Sequence, residues 1–218
     1  MSEASTGRAA DHQPAKLTRR DRYAQQTRRD LLSAALDCFS TQGYVATSLT
    51  DIGRRAAVTR GAVYHHFDNK QALFEAVLLD QLATSVASLR AATTGDDAPE
   101  RATTALNAFL DLCTREPFRT VVLEQGPIAL GWHRWRELDQ AHTLLVITEH
   151  LRALAKAGVI AIEVTEVLTR LFYACLHEAG DLVAHAPVDQ RDDIRQQAVD
   201  IVLRFLAGLT PGSEADPH

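Results

Sequence analysis

Ser48, Thr59 and Asn69 are three strong helix N-caps in close succession, and they restrict this chain more than any other feature. Each offers a side-chain oxygen to backbone amides that a helix start leaves without partners. Placed so close together, they cut the chain into helices of about two turns. The first carries Leu49, Ile52 and Ala56 inward, with Asp51 near the positive end of its dipole. Val58 lies in the connection. The second reads Arg60-Gly61-Ala62-Val63-Tyr64-His65-His66-Phe67 and is broken by Asp68 and Asn69. Asn69 then opens a longer helix with Leu73, Phe74, Val77, Leu78 and Leu82 on one face. Upstream, from about Asp21 to Thr41, Leu31, Leu32, Ala35, Leu36 and Phe39 recur at three-four spacing, and Gly43 supplies a left-handed stop. Two short helices held by a longer preceding one form a helix-turn-helix.

The second helix of such a pair presents its leading side chains to base edges in the major groove. Here those are Thr59, Arg60, Gly61, Tyr64 and His65. Arg60 can donate a bidentate pair to guanine. Gly61 lets backbone approach closely, and Tyr64, His65 and Lys70 suit phosphates. Thr47 and Ser48 place hydroxyls at a helix start, where phosphate is favoured. The net charge of −5 argues against a polyanion partner until the chain is divided. Residues 1–70 hold 11 Arg and Lys against 7 Asp and Glu, a balance of +4, whereas residues 71–218 hold 12 against 21, a balance of −9. Such asymmetry separates a polyanion-binding module from the rest of a chain. Between Lys16 and Arg29 six basic residues stand against Asp21 alone.

The spacing Phe39-x3-Gly43-Tyr44-x2-Thr47, then Thr50-Asp51-Ile52, then the run from Ala57 through Val58-Thr59-Arg60-Gly61-Ala62-Val63-Tyr64-His65-His66-Phe67 to Leu73, closely resembles the TetR/AcrR family of one-component repressors. The match covers about Arg22 to Leu82. By position, the resemblance implies DNA contacts at Thr50, Thr59, Arg60, Gly61, Tyr64, His65 and Lys70, with Arg28, Thr47 and Ser48 on the phosphate backbone. One departure is Gly53 inside the first short helix, which costs about 1 kcal/mol of helix propensity against Ala.

Helix-forming residues dominate, with only 11 Gly and 7 Pro, so the expected class is all-α with about nine helices. Hydrophobic residues at 46% support a packed core and exclude a largely disordered chain. No apolar run approaches the roughly 18–20 residues a membrane span requires. The polar start lacks the apolar segment of a signal peptide, and a cytoplasmic location without membrane contact is expected. Cys38, Cys113 and Cys175 are far apart and odd in number, and read as small buried hydrophobes rather than a disulfide framework.

The chain divides into a mobile basic arm (1–20), a DNA-binding domain with its linking helix (21–91), a ligand-binding and dimerisation domain (92–210) and a frayed tail (211–218). Thr93 to Pro99 is the clearest linker. A helical stripe runs from Pro99 to Glu116, and Pro117, Gly126, Pro127 and Gly131 punctuate a broken region. The run Gln125 to Glu137 resembles a segment of one C-terminal branch of the family. Two last helices run about Glu163 to Ala184 and Asp189 to Leu209; the second has a three-four apolar stripe, and the first carries an apolar arc too broad for one neighbour. In the family such helices pair two chains across a two-fold axis, which implies a homodimer on a palindromic operator. Trp132 and Trp135, three apart, share a helical face and read as a cavity wall, with Phe109, Cys113, Phe118, Tyr173 and His177 added to it. His177, Asp181 and His185 share a face, but two turns is a long reach for one ion, and no metal or cofactor is expected. No phosphate loop, HExxH or G-x-S-x-G motif is present. The expected function is a repressor that binds double-stranded operator DNA and is released by a small hydrophobic molecule. The rival is a small helical carrier or enzyme using a Trp-lined cavity.

Overall fold

A computed structural model describes residues 18–209 of the protein. The expectations placed on residues 1–17 and 211–218 lie outside this range. Nine α-helices and one π-helix follow in order among the described residues: α1 (Arg19–Ala46), α2 (Leu49–Arg55), α3 (Arg60–His66), α4 (Lys70–Ala92), α5 (Ala98–Cys113), the π-helix (Phe118–Glu124), α6 (Gln125–Leu130), α7 (Trp132–Lys156), α8 (Glu166–His185) and α9 (Arg191–Ala207). Local chemistry sets most of the starts. Ser48, Thr59, Asn69, Asp97 and Thr165 each accept from the amide three residues on. Thr18 and Asp21 form a reciprocal capping box, so α1 begins at Arg19, inside the stretch assigned to the arm.

Gly43 does not end α1. It adopts φ 83° and ψ 159°, a kink within the helix, and a further turn follows to Ala46. The α2–α3 connection turns at Ala57, whose φ of 54° is left-handed. The Ala57 and Val58 amides donate back to Arg54 and Gly53 carbonyls, at 3.2 and 2.9 Å. That is the Schellman pattern, built here on alanine where glycine is usual.

α4 is the axis of the molecule and packs against α1, the π-helix, α5, α6 and α7. It is long and apolar enough, by length and composition, to cross a membrane, which corrects the reading that no segment is. Glu75 and Asp80 interrupt its surface, while Leu73, Phe74, Val77, Leu78 and Leu82 are buried in the core. That core is continuous across residue 91. One cluster runs from Leu31, Phe39, Ile52 and Val63 through Phe74 and Leu78 to Phe118, Val122, Trp135 and Leu138. A second joins α5, α7, α8 and α9 through Leu110, Leu151, Phe172, Val183 and Val202. The outer faces of the last two helices stay apolar and exposed: Val167, Leu171 and Leu182 on α8, Ile201 and Phe205 on α9.

Candidate nucleic-acid interface and internal cavity

α3 is held by one side and offers the other. Val63 is fully buried, and Phe67 at its end is 5% exposed. Gly53 explains itself at this crossing: a Cβ there would stand 3.0 Å from Val63 Cγ2, so the missing side chain lets α2 and α3 approach. On the opposite face Thr59, Arg60, Gly61, Tyr64 and His65 are exposed. The Arg60 guanidinium lies 5.4 Å from the Tyr64 ring centroid, a stacking that holds its fork on the free surface. A Cβ at Gly61 would meet only the Thr59 hydroxyl, at 3.9 Å. Arg28 on α1 lies over the Phe67 ring at 4.8 Å with its charge exposed. Burial and the nearby His65 and Arg28 hold the His66 imidazole below its ordinary pKa.

Two of the expected phosphate contacts are corrected. Thr47 is 2% exposed, and its hydroxyl donates inward to the Gly43 and Cys38 carbonyls at 2.8 and 3.3 Å. The Lys70 ammonium donates to Tyr44, Thr47 and Val45 carbonyls at 2.8, 2.9 and 3.4 Å, and it lies over the Tyr44 ring. A Lys has three donors, and all three are spent closing the end of α1. Ser48 and Thr50 are exposed, but the Ser48 hydroxyl is engaged with Asp51. That bond, followed by Arg54, holds the Asp51 carboxyl below its ordinary pKa.

A joint that sequence reading missed sits behind this head. Gln125, at the start of α6, is buried. Its Oε1 accepts from the Tyr44 amide at 2.7 Å and its Nε2 donates to the Phe39 carbonyl at 2.9 Å, so one side chain grips α1 on both sides of the Gly43 kink. Three further bonds tie the same region to α4. Gln71 donates to the Ala129 carbonyl at 3.2 Å, and Arg134 places two guanidinium nitrogens on Glu75. A signal was available in the run from Gln125 to Glu137, though nothing in it indicated which element it would meet.

Between α4, α5, α7, α8 and α9 lies a cavity of about 110 Å³. Of the residues assigned to it, Phe109, Phe118 and His177 line it; Cys113, Trp132, Trp135 and Tyr173 do not. The Trp135 indole is packed in the core, its N–H donating to the Val122 carbonyl at 2.8 Å. Gly126 makes room for that ring, since a Cβ there would fall inside it. Trp132 is 53% exposed on the outer surface. The cavity is therefore not Trp-lined, which removes the feature on which the carrier-or-enzyme reading stood. Cys113 is fully buried against Gly180, and burial pushes its thiol pKa up. Tyr173 sits one layer behind the wall and donates to Asp139 Oδ2 at 2.6 Å. Burial first, then the Asp139 charge, drives its phenol pKa up.

Asp139 was not anticipated, and it is the cavity's main polar group. It is 2% exposed, lines the wall, accepts from Tyr173 and from the Thr143 hydroxyl at 3.3 Å, and stands 2.7 Å from His177 Nε2. His177 thus faces Asp139, while His185 turns to Asp181. Among the described residues no group of three or more His, Cys, Asp or Glu could hold a metal ion.

The comparisons with known proteins cover both halves. The curated AcrR regulator of Shigella flexneri is 50% identical over 54 residues, 25% of each chain. TtgR of Pseudomonas putida is 43% identical over 74 residues, 34% of this chain and 35% of that one. These alignments thus span a quarter to about a third of the curated relatives' length. The crystal structure of a TetR-family transcriptional regulator from Pectobacterium atrosepticum is 28% identical, with a TM-score of 0.73, over 93% of this chain and 100% of that one. The family description for tetR-type bacterial regulatory proteins matches residues 31–77, and that for tetracyclin repressor-like C-terminal domains matches residues 99–209. A presented α3, a distinct cavity-bearing half and matches to both halves lead to one conclusion: the chain belongs to the TetR family of bacterial regulatory proteins.

Proposed function

We propose that the chain is a homodimeric, ligand-controlled transcriptional repressor acting on double-stranded operator DNA in the cytoplasm. The observation that carries this is α3 itself, with Val63 buried beneath and Thr59, Arg60, Gly61, Tyr64 and His65 turned outward. Arg60 reads a guanine edge, and Tyr64 and His65 hold the adjacent backbone. Arg28, Ser48 and Thr50 flank them; Thr47 and Lys70 serve the fold instead. Two copies meet through the exposed apolar faces of α8 and α9, which sets the distance between the two reading helices.

A small, largely apolar effector binds in the cavity between α4, α5, α7, α8 and α9. The route outward is short. α7 carries Asp139 on the cavity wall and Trp135 behind the π-helix, and α6, which follows that helix, grips the α1 kink through Gln125. An effector that favours one setting of this joint changes the placement of the head, provided it binds the two settings differently. The test is fluorescence anisotropy with the DNA flanking the chain's own gene at low salt. Saturable, sequence-dependent binding supports the proposal. Absence of binding there and to any selected duplex would end it.

A further inference from the structure

The cavity wall is mainly apolar, its polar side chains being Ser85 on α4, Asp139, Thr143 and His150 on α7 and His177 on α8, and the chemistry around Asp139 narrows what can occupy it. Its wall holds no Lys or Arg; its titratable groups are Asp139, His150 and His177. His177 Nε2 lies 2.7 Å from Asp139 Oδ2. His150 lies three turns further along α7, on the order of 16 Å away, with Nδ1 facing the Val146 carbonyl at 2.9 Å. Asp139 Oδ2 already accepts from Tyr173 and stands 2.7 Å from His177 Nε2, whereas Oδ1 has only Thr143, itself a wall residue, at 3.3 Å. A carboxylate oxygen has two lone pairs, so Oδ1 retains acceptor capacity where the wall meets the cavity.

We propose that this part of the wall selects its ligand by hydrogen-bond donation. The effector is a compact, mainly apolar molecule whose hydroxyl or amine donates to Asp139 Oδ1 beside Thr143, and carboxylates are refused. The inference rests on reading the cavity as the effector site. An anion would stand next to a buried carboxylate with no guanidinium or ammonium on the wall to offset it. A donor-free molecule of the same shape would enter the apolar part but leave the acceptor of Asp139 unpaired.

The test uses the full chain and isothermal titration with four probes on one frame: phenylbutanol, phenylbutylamine, the methyl ether of phenylbutanol, and phenylbutyrate. The alcohol and the amine should bind at least about tenfold more tightly than the ether and the acid, because a site built around a hydrogen bond rejects analogues that cannot make it. Asp139→Asn should erase the advantage of the amine over the acid, and the wild-type series stands alone if that variant does not fold. Ala105→Phe, which fills the cavity from α5, should abolish binding of every probe. Four equal affinities, all lost in Ala105→Phe, would retain the cavity and overturn the donor rule. Binding that survives Ala105→Phe, or no binding by any probe, would overturn both.

Discussion

Arg60 and Tyr64 stand one turn apart on α3, and the stacking of guanidinium on phenol gives Arg60 a defined direction. Replacing it with Ala should cost about 1–3 kcal/mol on the operator and relax the base preference at one position. Equal losses on operator and random duplex would remove its base-reading role. Ala57 makes the opposite kind of prediction. A left-handed conformation costs a residue with a Cβ roughly 1–2 kcal/mol, so Ala57→Gly should raise stability by about 0.5–1 kcal/mol after glycine's own entropy is deducted. An increased denaturation midpoint at unchanged slope is the expected readout. At this scale the sequence is most readable where the cause is local. Ser48, Thr59 and Asn69 cap as read because a cap needs only the next three residues. Thr47 and Lys70 were misread because their partners, Cys38, Tyr44 and Gly43, lie on a kinked helix end whose path no local rule specifies.

Between elements, close approach decides the outcome. Gly53→Ala should gain up to about 1 kcal/mol of helix propensity, yet its Cβ would press on Val63 Cγ2 at 3.0 Å. Overpacking of a well-filled crossing costs about 1–3 kcal/mol, so the variant should be less stable and its α3 displaced. Greater stability with unchanged DNA affinity would contradict this account of the glycine. Gln125→Leu removes the acceptor of the Tyr44 amide and the side-chain donor to the Phe39 carbonyl, at a cost of about 2 kcal/mol. Its more telling effect should be on coupling: DNA affinity should respond less to effector than in the wild type, while effector affinity in the absence of DNA is retained. The broken region from Pro117 to Gly131 was legible as short helices, but its π-helical turn and its grip on α1 were not. The two tryptophans show why. Spacing placed them on one face, but only the niche at Gly126 decided that Trp135 would be core and Trp132 surface.

For the molecule as a whole, the broad apolar arc of α8 and the apolar stripe of α9 were readable from periodicity, and the structure leaves Val167, Leu171, Ile201 and Phe205 exposed. Leu171→Glu combined with Ile201→Glu should give a folded monomer at micromolar concentration by light scattering, with weakened operator binding. A dimer that persists would place the two-fold contact elsewhere. The central claim is that α3, paired across such a dimer, reads base edges. Selection of duplexes from a randomised DNA pool tests this most directly. Wild-type protein should enrich an inverted repeat whose half-sites face successive major grooves on one side of the helix, and Arg60→Ala should lose the preference at one symmetric position of each half-site. Recovery of no common sequence, or the same repeat from both proteins, would contradict it.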